Sequence, residues 1–205
     1  MASGDDIMQT DPHVWGPPLW DLLFTLAFSA PASHLSAIMD LFACLEHVLP
    51  CAECRRSYAA YRKQTLPLMT LRTSSVTAAE WLWTIHDMVN QKLDKPSFSY
   101  DRVVFKHRQM RCLAHPLSAL GLLRLMAATP SSSNLHLARF TRCLLRLSAV
   151  CPGMTDLADA FGRDQVSDRN LDALLQRALD ALHTKYDIAR VDGKVPLSLM
   201  QSHQQ

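Results

Sequence analysis

Glycine is scarce, 6 residues in 205, or about 3% against the usual ~7%. Few positions remain for tight hairpins or phosphate-cradling loops, and an all-α chain is the simplest reading. Long apolar runs are also missing. The most apolar stretch, Pro116 to Ala128, is broken by Arg124 and falls short of the ~18 residues that a membrane-spanning helix needs. Tryptophan is confined to Trp15, Trp20, Trp81 and Trp83. Acidic residues are absent from Arg102 to Thr155, where Arg102, Lys106, Arg108, Arg111, Arg124, Arg139, Arg142 and Arg146 are basic. That segment reads either as solvated helix faces or as a docking surface for an acidic partner. The chain as a whole carries only +2, so bulk electrostatics argues for neither nucleic acid nor a membrane surface. The first residues, Met1-Ala-Ser-Gly-Asp-Asp, are polar and acidic, unlike a secretory leader, and the expectation is cytosolic synthesis.

What is present is a run of amphipathic segments. Apolar spacing and breakers predict helices at about 17–28, 33–48, 50–64 and 77–93, the last opened by Thr77 with Glu80 three residues on, a capping-box pattern. Four helices with short connections make a bundle. Weaker helices are predicted at about 117–128, 135–150 and 170–186, the last with Leu171, Leu174, Leu175, Ala178 and Leu182 on one stripe. Residues 131–134 read as a turn. Composition shifts near residue 113. The expected organisation is a polar N-terminus over 1–12, a first domain over 13–113 and a helical C-terminal domain over 114–205.

Six cysteines exceed what a reducing compartment usually holds, yet are too few for a disulfide-built scaffold. Pro50-Cys51-Ala-Glu-Cys54-Arg55-Arg56 puts a Cys-x-x-Cys at a helix start. Both sulfurs then face the first turn, where the helix N-terminus and the two arginines favour a thiolate. The pair suits redox exchange or a metal. With Cys112-x-x-His115 it offers the ligand types of a structural zinc site, although the gap far exceeds the ~12 to 20 residues of familiar zinc modules. A thioredoxin-like role would need a βαβ setting, which this pattern does not supply. Downstream, Trp83, His86 and Asn90 fall on one helical stripe, a wall suited to a flat heteroaromatic ligand. Lys95 follows just past the helix end, where it could meet a phosphate. Burial of Trp83 and His86 as ordinary core is the alternative.

Three blocks in order, Trp15-Gly16-Pro17-Pro-Leu-Trp20, Leu49-Pro50-Cys51-Ala-Glu-Cys54-Arg55, and Trp81 to Phe98 with His86-x-x-Val89-Asn90-x-x-Leu93-x-Lys95, resemble the Erv/ALR family of FAD-linked sulfhydryl oxidases. The likeness covers about residues 13–105 and looks most like the forms carried by large cytoplasmic DNA viruses. The resemblance implies a four-helix bundle holding FAD, usually as a homodimer. Cys54 would lie against the flavin and Cys51 would exchange with protein dithiol substrates. Gly16, Pro17, Trp20 and Phe24 would line one wall, and Trp83, His86, Asn90, Leu93, Lys95 and Tyr100 complete the expected cofactor-binding set. Electrons would pass to O2, giving H2O2, in the host cytoplasm or a virion. No resident metal is expected. Three departures stand out. Phe24 occupies a position where the family usually has His, Asp87 replaces a common Asn, and Tyr100 stands where many cellular members have a cysteine of a structural disulfide. A catalytically silent scaffold that uses the bundle only for partner binding is the rival within the resemblance. Of the remaining cysteines, Cys44 reads as a small buried hydrophobe. Cys143 and Cys151 read as either a disulfide or shuttle pair or as separate structural thiols.

Overall fold

The computed structural model describes residues 11–73, 76–109, 114–129, 133–162 and 165–187. Cys112 lies outside them, as does the N-terminal 1–10 segment. Among the described residues the chain is helical without strands: α1 (Pro12–Ser29), α2 (Leu35–Val48), α3 (Ala52–Gln64), α4 (Ala78–Lys92), α5 (Tyr100–Gln109), α6 (Pro116–Ala128), α7 (Asn134–Ser148), α8 (Thr155–Phe161) and α9 (Leu171–Lys185). Short 3-10 turns span Ala32–His34 and Leu68–Arg72. None of these helices is long and apolar enough to cross a membrane.

Local chemistry sets the boundaries. Helix α1 begins five residues before the expected Pro17, because Asp11 caps it with a 2.8 Å hydrogen bond from the His13 N–H and Pro12 supplies a preset φ at the first position. Thr77 caps α4 as anticipated, its Oγ1 accepting the Glu80 N–H at 3.1 Å. His115 and Ser133 cap α6 and α7 through their side chains. Two helices escaped the sequence reading, α5 and the two-turn α8. Helix α5 is charged along most of its length and buries only a narrow face, so its apolar signal is weak.

Helices α1 to α5 form one assembly. Phe42 of α2 stacks on Trp81 of α4 with centroids 5.4 Å apart, and the buried Tyr58 hydroxyl on α3 donates to the Phe42 carbonyl at 2.9 Å. Helix α2 packs on α7 more extensively than on any other element, and α6 also contacts α1. One cluster of buried apolar residues therefore runs from Trp15 through Phe42 to Leu144 and Leu182. The basic stretch is partly consumed by this packing. Arg139 pairs with Asp40 at 2.6 Å, Arg142 donates to the Val166 carbonyl at 2.8 Å, and Lys106 pairs with Asp21 at 3.3 Å. Those contacts favour the solvated-face reading over an acidic-partner surface.

Candidate functional site

Cys51 is the N-cap of α3. Its backbone is extended, Cys54 sits one turn on, and the two sulfurs are joined in a disulfide with the Cα atoms 5.1 Å apart. The Cys54 N–H points at the Cys51 Sγ at 3.2 Å. On reduction that amide and the helix N-terminus favour a thiolate at Cys51. Both cysteines are half-buried, flanked by the exposed Ala52 and Glu53. Arg55 turns back to donate to the Leu49 carbonyl, which fixes the Leu49-Pro50 approach to the site. With Cys51 and Cys54 bonded to each other and His115 Nδ1 accepting the Leu117 N–H, the zinc arrangement loses three of its four ligands.

The disulfide helix is tied to α4. Lys92 Nζ reaches Glu53 Oε1 and Ser57 Oγ, both at 2.7 Å. Hydrogen bonds from Lys92 and then Arg56 hold the Glu53 carboxyl at about 2. Helix α4 ends in a cap in which the Asp94 N–H meets the Gln91 carbonyl and the Lys95 N–H meets the Asn90 carbonyl at 2.9 Å, with Asp94 left-handed at φ 52°. This cap fixes Lys95 beside the helix end.

On the next face of α4 stands a row of rings. Trp20, Phe24 and Phe28 recur every fourth residue along α1. His86 packs on Trp20 at 4.4 Å, on Phe98 at 5.4 Å and edge-on to Phe24 at 5.9 Å. His107 of α5 packs on Phe24 at 5.4 Å and on Phe28 at 4.9 Å. Tyr100 continues the row between Phe28 and Trp83, at 6.4 and 6.0 Å, and its hydroxyl meets Thr77 Oγ1. The Trp83 Nε1–H donates to the Phe98 carbonyl at 2.9 Å. Burial pushes both imidazoles down to about 4, helped at His86 by Lys106 and Lys95 against the opposing pull of Asp87. Both are neutral at pH 7. His86 Nδ1 is buried with no hydrogen-bond partner, a polar atom that the protein itself leaves unsatisfied.

The structure thus brings Trp20, Phe24 and His86 into one cluster and sets Trp83 and Tyr100 at its far end. Asn90 is buried below them. Gly16 is buried and Pro17 half-buried in the first turns of α1, and a Cβ at Gly16 would meet nothing within 4 Å. Leu93 and Lys95 are solvent-exposed, so their expected contacts are not made within the chain. The sequence reading missed His107, Phe28 and Phe98. The fourfold spacing of α1 pointed to Phe28, and the Tyr100, Val103, His107 stripe after Ser99 pointed to α5.

Cys143 and Cys151 are not joined, contrary to the disulfide or shuttle alternative. Cys143 is half-buried on α7 beside Arg139 and Asp40, whereas Cys151 lies buried in the turn beyond Ser148. The remainder of α7 separates them rigidly. Cys44 is buried, and its thiol is pushed up to about 11, mainly by desolvation, as expected of a small core residue.

The Erv1 / Alr family model matches residues 17–110. A candidate FAD-linked sulfhydryl oxidase of Invertebrate iridescent virus 6, 347L, is 31% identical over 94 residues, which is 42% of this chain and 85% of the viral protein. The mitochondrial FAD-linked sulfhydryl oxidase ERV1 of Saccharomyces cerevisiae is 28% identical over 95 residues, 43% of this chain and 47% of the yeast protein. No solved structure matches the chain significantly. The described part of the matched region lies within α1 to α5 and their connections.

Proposed function

The chain belongs to the Erv1 / Alr family, and from that footing we propose that it is an FAD-linked sulfhydryl oxidase which forms disulfides in protein dithiols. The observation that carries the proposal is the disulfide at the α3 N-terminus, held by Lys92 to the helix that bears His86. The ring row suits FAD on physical grounds. It offers flat apolar faces in Trp20, Phe24 and Trp83, a buried imidazole nitrogen without a partner at His86, and open space at Gly16. Trp20, Phe24, His86, Asn90 and His107 would hold the cofactor, with Lys95 as a cation for its phosphates. Tyr100 and Trp83 would border it, and Pro17 and Leu93 would close its rim.

In the proposed mechanism a substrate thiolate attacks Cys51 Sγ. The Cys51–Cys54 bond breaks, a mixed disulfide forms at Cys51, and Cys54 leaves as a thiolate. The second substrate thiolate attacks its own partner sulfur, the product disulfide departs, and Cys51 leaves with the bonding pair. Two electrons have then moved from substrate to enzyme, which holds them as the Cys51 and Cys54 thiolates, while the protons of the substrate thiols have gone to solvent. Cys51 is a good leaving group in that second step, because the Cys54 N–H and the helix N-terminus stabilise its thiolate. FAD, which Trp20, Phe24, His86 and Asn90 would hold, would supply a two-electron acceptor for the reduced pair, with O2 as the terminal acceptor and H2O2 as the product. Because His86 and His107 are neutral at pH 7, the pocket adds no imidazolium charge, and His86 is free to accept or donate one hydrogen bond through Nδ1.

We assign this chemistry to residues 13–113, give α7 within the C-terminal domain the role of bracing α2, and include a homodimer and a place in host cytoplasm or virion. The test is the absorbance spectrum of the purified protein followed by oxygen uptake with dithiothreitol. Flavin bands with dithiol-dependent uptake are expected. A colourless protein that consumes no oxygen after FAD is added refutes the reading and leaves the silent scaffold. Light scattering reads the dimer.

A further inference from the structure

Helix α4 has a second face beside the His86 stripe, and Trp83 stands at the border of the two. With the end of α3 and the following loop it encloses a groove of about 470 Å³, bordered by Gln64, Leu66, Glu80, Trp83, Thr84 and Asp87. Its lining carries two carboxylates and no basic side chain. Among the described residues neither carboxylate is paired with a cation. Asp87 accepts only from Gln91 Nε2, at 2.7 Å to Oδ2, and its Oδ1 is buried without a partner. Oδ1 is out of a ligand's reach, but the two half-buried carboxylates leave the groove with uncompensated negative charge that an entering cation would offset.

From this we infer that the groove is a docking site for a basic segment of a partner polypeptide, with a lysine or arginine head at Asp87 and a second at Glu80. The apolar stem of such a side chain fits Trp83 and Leu66, and the aromatic face adds attraction for the cation. Spacing supports an extended occupant. Glu80 and Asp87 are seven residues apart on a helix, about 10.5 Å along its axis, and basic residues three apart on an extended chain are spaced about 10 Å. Gln91 at the groove's end adjoins Lys92, which grips Glu53 beside Cys54. A chain docked here runs toward the disulfide. The inference concerns binding alone and stands or falls apart from the oxidase reading.

A cysteine-free, fluorescein-labelled dodecapeptide with two arginines three positions apart tests it by anisotropy against the full chain at low and physiological salt. Expected are saturable binding weakened by salt and a loss of about tenfold on Asp87→Asn or Glu80→Gln, equivalent to ~1.4 kcal/mol. The same peptide with glutamine in place of both arginines should not bind. Asp172→Asn, on the exposed side of α9, should change affinity less than about twofold, the usual size of a surface-charge effect. Equal binding by Asp87→Asn and by the folded charge reversal Asp87→Lys overturns the inference. So does binding of the uncharged peptide, and so does a drop in oligomer mass on Glu80→Gln without loss of peptide affinity, which would give the groove to a second copy of the chain.

Discussion

Helices α1 to α5 and helices α6 to α9 share a core yet are built from different materials. The second set is mostly leucine on its buried side, Leu117, Leu120, Leu123, Leu137, Leu144, Leu157, Leu174 and Leu182 among others, with Phe140 and Phe161 as its buried aromatic rings and one buried imidazole, His183, whose Nε2 has no hydrogen-bond partner. The first set spends its interior on rings, two imidazoles held neutral, a buried amide and a disulfide. Leucine fills space at low cost, whereas half-satisfied polar rings cost free energy wherever a ligand does not complete them. His183 shows that one such group alone does not make a site; the contiguous ring row beside a disulfide, which among the described residues α6 to α9 do not match, favours chemistry in α1 to α5 and mechanical support in α6 to α9.

The sharpest way to break that comparison is to remove a sulfur from each set. Cys54→Ser should lower dithiol-dependent oxygen uptake by about 10³-fold or more, ~4 kcal/mol of barrier, while FAD stays bound. Cys143→Ala should change uptake less than about twofold. A comparable loss in both variants would return electron transfer to the C-terminal cysteines and erase the distinction.

A core deletion in the second set inverts the pattern. Leu144 is fully buried on α7, the helix that packs most extensively on α2. Leu144→Ala should cost about 3 kcal/mol through lost transfer energy and the cavity left behind. The melting temperature should fall by roughly 6–12 °C, with the flavin spectrum of the folded protein unmoved. A shifted spectrum would show that α7 shapes the cofactor pocket through α2.

Titration separates the sets next. A histidine whose folded pKa is depressed takes up its proton more readily once unfolded, so stability rises with pH where only the unfolded state is protonated. For His86, at about 4 in the fold against the ordinary 6.5, the window is pH 4 to 6.5. Stability is intact above pH 6.5 and is lost as pH falls toward 4, by on the order of 3 kcal/mol. His107 shares the window with a smaller effect because more of it is exposed. Urea midpoints of the cofactor-free protein at pH 7 and pH 4.5 measure the loss, and His86→Phe should flatten most of it. An unchanged pH slope in that variant would deny His86 its buried, neutral state.

Legibility in the sequence followed signal strength. The Cys51-x-x-Cys54 pair, the Thr77 cap and the His86, Asn90 stripe are dense local patterns, and each stands in the structure where its spacing put it. The true start of α1 was legible too, in Asp11-Pro12, but Pro17-Pro18 reads as a stronger opening although both residues lie within the helix. Helix α5 and His107 were hidden for a different reason. A short helix that is charged on most faces reveals its apolar side only against a neighbour, here Phe24 and Phe28, and contacts of that kind are tertiary. The fate of the basic stretch was equally beyond local reading, since Asp40, the partner of Arg139, lies 99 residues away.

The smallest expected effect tests how α4 ends. Asp94 is left-handed, and its amide and that of Lys95 close the helix on Gln91 and Asn90. A side chain in that conformation costs about 1 kcal/mol relative to glycine, less for aspartate than for most residues. The Asp94 carboxylate also faces the negative end of the α4 dipole, which is unfavourable by ~0.3–1 kcal/mol. Against both stands the greater entropy that glycine gives the unfolded chain, ~0.4–1 kcal/mol. Asp94→Gly should therefore stabilise the protein by about 0.5 kcal/mol, a rise of roughly 1–2 °C in melting temperature. Asp94→Ala keeps the strained conformation without the local hydrogen bonding that aspartate can offer, and should melt lower than the wild type. If glycine lowers the melting temperature instead, the Asp94 side chain is holding the α4 end in place, and the position of Lys95 depends on that carboxylate rather than on the backbone cap.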